Sequence, residues 1–477
     1  GTDTGIFEGN IELAAGSATA VNSKLEVASG DRLTVFYDDA KGDWGTALQV
    51  RDEALYAATV IKGSTYMQDV VWTKDDSPYL ITGDVTISSG RSLTIKEGVK
   101  VIFLANSDST EGGDQKYDSE LLVEGSISVL GTEAEPVVFT SSEAAPSKGD
   151  WGGIKYNQAG VFEYAVLDYS GYGIYAQFEN FNENQYKIEV KNSKIRHSGG
   201  YGIRVFGRTE AGNVTIEDTE FTGIEGGGEG AAVYIGGAWI DYSDAVIRRC
   251  KFINNSDGGI RFNDLGVVTV EGNEFSNNDS VYIRNYNTRG DFTFKDNILK
   301  NNKRGQIYYH NPQSGNLSCL VEGNIISESE NGEMEGIRID EINVDLEILV
   351  KNNTVETRYD GIQIYGNFNL TPKITGNTIV GTRLEGTGIN IWGKMRPVIE
   401  NNTIEKKQYG IKVSYDDLSG DGQAVIKGNV VKDNSGYGIR VEKYTKPVIS
   451  LNDIENNGGY FVDNQTEYTV DARNNWW

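Results

Sequence analysis

Cysteine and histidine are almost missing from this chain: two of each occur in 477 residues. Two cysteines exclude a disulfide-built scaffold and any multi-cysteine zinc or iron–sulfur site, and two histidines exclude a three-histidine metal centre. Proline, at 7 residues, and methionine, at 3, are scarce too. No stretch approaches the roughly 18 consecutive apolar residues of a membrane-spanning helix. Basic residues are outnumbered, 44 Lys and Arg against 69 Asp and Glu, for a formal net charge of −25. So acidic a mean field repels phosphate, which argues against a nucleic-acid partner.

What the chain has instead is glycine and tyrosine, 58 and 26 residues, placed by an internal repeat. One phrase puts an apolar residue before a polar pair, often containing Asn, and another apolar residue after it: VEGNEF at 270–275, VKNNTV at 350–355, IENNTI at 399–404. The shared position is held by Ser193, Thr219, Cys250, Asn273, Asn297, Asn324, Asn353, Asn377, Asn402, Asn429 and Asn452, with Asn475 as the next member. Ten steps cross the 259 residues from 193 to 452, about 26 per step. A second phrase lies between these, a glycine-led strand of period two: YGIRV at 201–205, GGIRF at 258–262, YGIRV at 437–441.

Such short strands cannot bury a face alone, but stacked at one strand spacing per turn they close an apolar interior. The pattern predicts an all-β fold, a right-handed single-stranded parallel β-helix. Asn suits the repeated turn because it tolerates the left-handed region and its amide can bond to the amide stacked above it. Helical solenoids are excluded by the lack of a sustained 3.6-residue apolar period, and a β-propeller would need longer repeats of four strands. The β-helix is assigned to 81–477, with an acidic insertion at 104–119, and residues 61–80 are read as a linker. Residues 1–60 read as a small β-sandwich-like module, whole or truncated, because 24–43 alternates like antiparallel strands joined at Ser29-Gly30. The chain starts without Met and closes on tandem tryptophans, which reads as part of a longer multidomain chain.

With the ladder and the glycine-led strands go the segments LTIKEGVKVIF (93–103), GTEAEPVVFTS (131–141), GDWGGI (149–154) and ARNNWW (472–477). On these the chain resembles, from about residue 80 onward, the secreted right-handed parallel β-helix proteins, with their pectate-lyase-like, carbohydrate-binding and sugar-hydrolase members. The resemblance implies an extracellular or cell-surface location and contact with polysaccharide. It leaves activity open, since the family holds lyases, hydrolases, epimerases, adhesins and structural surface proteins. The family's hydrolase pattern of clustered aspartates followed by Gly-His-Gly is absent here.

Alternation marks the outward side chains of the glycine-led strands. One column reads Lys155, Tyr175, Arg204, Tyr234, Arg261, Tyr282, Tyr308, Arg338, Gln363, Asn390, Lys412 and Arg440, without a carboxylate. The column two residues on includes Phe206, Arg284, His310, Asp340, Tyr365, Trp392, Glu442 and Asp463. Tyrosine and arginine are ordinary on a solvated sheet, where cross-strand stacking stabilises the fold. They equally suit a linear groove in which aromatic faces meet sugar rings and cations meet hydroxyls or carboxylates. The substrate-binding candidates are Arg204, Tyr234, Arg261, Tyr282, Arg284, Tyr308, Arg338, Asp340, Tyr365 and Trp392.

Catalysis by β-elimination would need a base at C5 of a uronate, a cation on its carboxylate and a proton donor to the leaving oxygen. Arg338 or His310 is the candidate base, Tyr308 the acid and Arg284 the carboxylate's partner. Acidic loops suit a hard cation such as Ca2+, with Asp38, Asp39 and Asp43, or Asp108, Asp114 and Asp118, as candidate ligands. Cys250, in the ladder, and Cys319, about three turns away, are too far apart to pair. Three functions fit: a non-catalytic surface module that binds polysaccharide, a lyase or epimerase on a uronate polymer, and a structural surface-layer or filament segment that meets other copies of itself.

Overall fold

A computed structural model describes residues 11–15, 24–28, 30–39, 48–57, 59–178, 187–207, 213–226, 231–236, 244–313, 316–328, 335–417 and 422–477. Three long parallel sheets of 15, 16 and 16 strands run the length of the molecule, and each coil gives one strand to each. Taken along one coil, Val268–Glu271 lies in the first sheet, Glu274–Ser276 in the second and Val281–Tyr286 in the third. This is the expected right-handed parallel β-helix. Sixteen strands at ~4.8 Å give a rod of about 70 Å.

The helix begins earlier than 81. Thr59–Ile61 pairs with Tyr79–Ile81, Ser64–Tyr66 with Val85–Ile87, and Val70–Trp72 with the strand at Leu93–Ile95. The strands from Thr59 to Trp72 form its first coil and Tyr79–Ile81 opens the second, so the helix runs through the segment read as a linker; the first coil's strands are three residues each, too short for alternation to reveal them. Ahead of it, Glu12–Ala15 pairs in parallel with Lys24–Val27, and Arg32–Asp39 pairs antiparallel with Leu48–Leu55. The two strands on either side of the expected Ser29-Gly30 turn, Lys24–Val27 and Arg32–Asp39, lie in different sheets and do not pair with each other.

Inward positions fill the bore in columns. Ile203, Ile260, Ile283, Ile307, Ile337, Ile362, Ile389, Ile411 and Ile439 are all fully buried along the third sheet. Behind the second sheet Phe221, Phe252 and Phe275 stack at 4.7 and 4.6 Å, nearly coplanar. Each ring buries a large apolar area and keeps the offset stacking that aromatic quadrupoles favour.

The amide ladder runs unbroken from Asn273 to Asn475. Asn353 shows the unit: its Nδ2 donates to Asn377 Oδ1 at 2.9 Å and to the Val321 carbonyl at 2.9 Å, while its Oδ1 accepts from Asn324. The left-handed backbone, however, belongs to the residue before each ladder amide, among them Gly272 (φ 65°), Asn352 (φ 56°) and Asn401 (φ 56°). The two properties credited to one Asn are thus divided between neighbours. A second ladder, not anticipated from sequence, lies in the next turn: Asn255, Asn278 and Asn302 bond in series at 3.0 and 2.9 Å, and Asn434 bonds to Asn457 at 2.8 Å. In that column Lys407 is fully buried, its ammonium donating to the Thr357 and Tyr359 carbonyls at 2.6 and 2.5 Å.

Candidate functional site

The third sheet carries the glycine-led strands, and its outward face gathers most of the expected binding residues. Strand pairing sets one column as Lys155, Tyr175, Arg204, Tyr234, Arg261, Arg284, Tyr308, Arg338, Gln363, Asn390, Lys412, Arg440 and Asp463. Two expectations are corrected. Arg284 replaces Tyr282, which lies beside Gln306 instead, and Asp463 ends the column with a carboxylate. Alternation alone is blind to a slip of two residues, because Val281 and Ile283 are equally apolar. The turn length carries the missing information: Ile260 follows Phe252, and Ile283 follows Phe275, by eight residues each.

Along this column the cations rest against aromatic rings. The Arg204 guanidinium lies 5.0, 5.3 and 5.1 Å from the ring centres of Tyr175, Tyr201 and Phe206. Arg261 sits 5.2 Å from Tyr286, Arg284 3.9 Å from Tyr282, and Arg338 5.1 Å from Tyr308. The Nε atoms of Arg204 and Arg284 are buried and meet no hydrogen-bond acceptor, so these guanidinium groups rest on aromatic faces. Tyr365 and Trp392, on neighbouring coils, stack at 5.3 Å and 22°. Gly393 beside them has φ 108°, and a Cβ there would sit 2.0 Å from the Gly366 carbonyl oxygen, so only glycine fits.

At the centre Asp340, 3% exposed, collects the polar groups. Arg338 Nε donates to its Oδ2 at 2.6 Å, His310 Nδ1 lies 2.7 Å from its Oδ1, and the Tyr308 hydroxyl donates to Oδ2 at 3.4 Å. Burial, and then the Asp340 charge, push the Tyr308 hydroxyl well above its ordinary pKa, so it stays protonated. Arg338 also lies 3.9 Å from Glu335, which Gln306 holds at 2.8 Å. Bonded to Asp340 and facing Glu335, Arg338 is favoured in its charged form. Tyr286, absent from the expected set, stands edge-on to both Tyr308 and His310 at 5.6 and 5.1 Å. Continuing the outward alternation Tyr282, Arg284, Tyr286 would have found it. Arg440 divides its charge between Glu442 at 2.6 Å and Asp463 at 3.4 Å.

Among the described residues no three His, Cys, Asp or Glu side chains are grouped to hold a metal ion. Asp108 accepts from the Thr110 and Gly112 backbones at 2.9 and 3.0 Å, and Asp114 pairs with Lys155 at 2.7 Å. Asp118 is raised in pKa by burial and by neighbouring Asp150 and Asp108. Asp38 bonds to Gln49 at 2.7 Å; the Asp39 side chain and Asp43 lie outside the described residues. The insertion instead closes over Glu120, whose carboxylate accepts from the Asp114 and Gln115 N–H groups at 2.6 and 2.9 Å and from the Tyr172 hydroxyl. Burial raises this carboxyl to about 7. Cys250 and Cys319 are buried free thiols, and no described helix is long and apolar enough to cross a membrane.

Comparison with known proteins adds the following. The family described as a right handed beta helix region matches residues 172–335 and 321–476, and a pectate-lyase like beta helix domain matches residues 64–159. No curated protein matches. Among solved structures, a mutant tailspike protein of E. coli bacteriophage HK620, in complex with a pentasaccharide, is 14% identical, covering 79% of this chain and 72% of its own, at a TM-score of 0.33. The catalytic unit of a thermostable GH87 alpha-1,3-glucanase from Streptomyces thermodiastaticus is 12% identical over 88% of this chain and 64% of its own, under two thirds of its length, at 0.33. The periplasmic alginate epimerase AlgG is 12% identical over 82% of this chain and 78% of its own, at 0.28. The three stacked parallel sheets and the match across residues 172–476 agree, and the chain belongs to the right-handed parallel β-helix family.

Proposed function

We propose that this is an extracellular or cell-surface module that binds an extended polysaccharide along the outward face of its third sheet. The observation that carries the reading is the succession of guanidinium–aromatic contacts from Arg204 to Arg338, followed by the stacked Tyr365–Trp392 pair. Strands ~4.8 Å apart offer a new ring or cation at roughly each sugar unit. Rings so held are rigid and lose little entropy on binding, and arginines resting on them can still meet hydroxyls or carboxylates. Uronate-containing and neutral polymers would be titrated onto the full chain and onto the double variant Tyr308→Ala, Arg338→Ala. Binding by the parent, weakened at least about tenfold in the variant, is expected. Binding that survives the double change removes the groove.

A polysaccharide lyase or epimerase is the second reading, favoured by one observation: His310 is oriented by buried Asp340 next to a protonated Tyr308. With Nδ1–H directed at Asp340, His310 Nε2, which faces the Glu341 carboxylate at 3.5 Å, would take the C5 proton of a uronate once substrate displaces that exposed side chain. The electron pair would form the C4–C5 double bond, the C4–O bond would break, and Tyr308 would protonate the departing oxygen. Arg284, across the strand pair from Tyr308, would face the uronate carboxylate. Epimerisation would return a proton to C5 from the other face instead. A rise in absorbance at about 235 nm on uronate polymers, lost in His310→Ala, supports elimination; no rise on any uronate polymer rejects it.

A further inference from the structure

Three consecutive coils leave the third sheet after Tyr415, Lys443 and Asn464. Asp416, Lys443, Tyr444 and residues 465–468, at and just after these strand ends, line a solvent-open depression of about 600 Å3 at the C-terminal end of the rod; it begins one coil beyond Trp392, where the Asp416 N–H donates to the Gly393 carbonyl at 3.1 Å. That volume lies within the range of small-ligand sites, about 300–1,000 Å3. We infer that this depression is a second carbohydrate site, one that takes a neutral pyranose unit.

Its walls have the mixture a sugar requires. Tyr444 and Tyr468 supply aromatic surface for the C–H face of a ring, and Asp416, Gln465 and Glu467 supply planar polar groups able to bridge neighbouring hydroxyls. The wall at 464–468 is preorganised. Thr466 N–H and hydroxyl both donate to Asn464 Oδ1, at 3.1 and 2.7 Å, and Asn464 Nδ2 donates to the Tyr468 carbonyl at 2.9 Å. Gln465 is oriented by donating through Nε2 to buried Asp463 at 2.7 Å. Such bracing lowers the ordering cost of binding.

Charge selects a neutral sugar. Lys443 Nζ is engaged by Asp416 at 2.7 Å, and the Lys446 ammonium sits 4.2 Å from the centre of the Tyr468 ring. An incoming uronate or sulfate would face the Asp416 and Glu467 carboxylates with these cations already partnered, whereas hydroxyls can donate to the same oxygens. The inference does not rest on the reading of the third-sheet groove, since none of the lining residues belongs to that column.

Saturation-transfer NMR on the full chain would compare neutral gluco-, galacto- and manno-trisaccharides with a galacturonate trimer, in the parent, Tyr468→Ala, Glu467→Gln and Trp392→Ala. Expected is binding of a neutral trisaccharide that falls about tenfold or more in Tyr468→Ala, weakens in Glu467→Gln, and keeps its dependence on Tyr468 and Glu467 when Trp392→Ala is added. Glu467 is exposed, so that variant decides the matter if Tyr468→Ala melts early. Failure of every neutral trisaccharide to bind overturns the inference. So does binding lost in Trp392→Ala but kept in Glu467→Gln, which would belong to the groove, and so does tighter binding of the galacturonate trimer that requires Tyr468.

Discussion

Glu120 carries a pH dependence that can be read from its surroundings. The side chain is fully buried beneath the insertion, and its carboxyl is raised from 4.5 to about 7 by that burial. A folded-state pKa above the unfolded one means the native protein holds this proton more tightly. Its stabilising contribution is complete below about pH 4.5 and is lost as pH rises through about 7. The whole swing is on the order of 3 kcal/mol. Melting curves from pH 4 to 8 should show the parent losing stability on this side of the range, with Glu120→Gln flattening the loss; parallel curves would contradict the assignment. Nothing local in the sequence announced this residue. The acidic loop was visible, but that its backbone N–H groups would cap a carboxylate from the sheet depends on how the loop folds back.

At the scale of the strand and turn, the first amide ladder was legible in the sequence up to its expected last member, Asn475, which accepts from Asn452 Nδ2 at 2.9 Å. Its energetic content is testable at Asn353. Alanine there strands the Asn324 backbone N–H and removes the amide donor to the Val321 carbonyl inside the rod, at about 1–3 kcal/mol for each buried group left unsatisfied. Urea unfolding should show a loss of several kcal/mol, and a loss below about 1 kcal/mol would mean water replaces the amide. Cys250 offers the converse case. It interrupts the ladder with a thiol whose Sγ lies 3.5 Å from the Ile216 carbonyl. Cys250→Asn should join Asn273 and raise the melting temperature by a few degrees, the equivalent of about 1 kcal/mol. The second ladder escaped notice although doublets such as Asn254-Asn255 and Asn277-Asn278 repeat the same device, a left-handed residue followed by a buried amide. Its column is broken by Lys407, so the period fades before it becomes obvious.

Across the whole molecule, strand pairing joins each coil to the coils before and after it, with few longer contacts such as Lys407 to Thr357, so stability is close to a sum of neighbour terms. Hydrogen exchange should therefore be slowest in central strands such as Val268–Glu271 and faster at Val448–Ser450 near the C-terminal end, where Trp476 is 77% exposed. Uniform protection along the rod would instead indicate a single cooperative unit. The β-helix itself was readable from the chain because its information is local and repeated: every turn restates the same inward apolar residues and the same amide, and only stacking can satisfy both. The identity of the outward column was not, since alternation is unchanged by a shift of two residues. Pairing of Ile260 with Ile283 and of Ile439 with Val462 settled that Arg284 and Asp463, and not Tyr282, stand in line. Burial of Asp340 among Arg338, His310 and Tyr308 likewise joins side chains from adjacent coils. Periodicity specifies which residues face outward; the register between coils, set by turn lengths and packing in the bore, decides which of them meet.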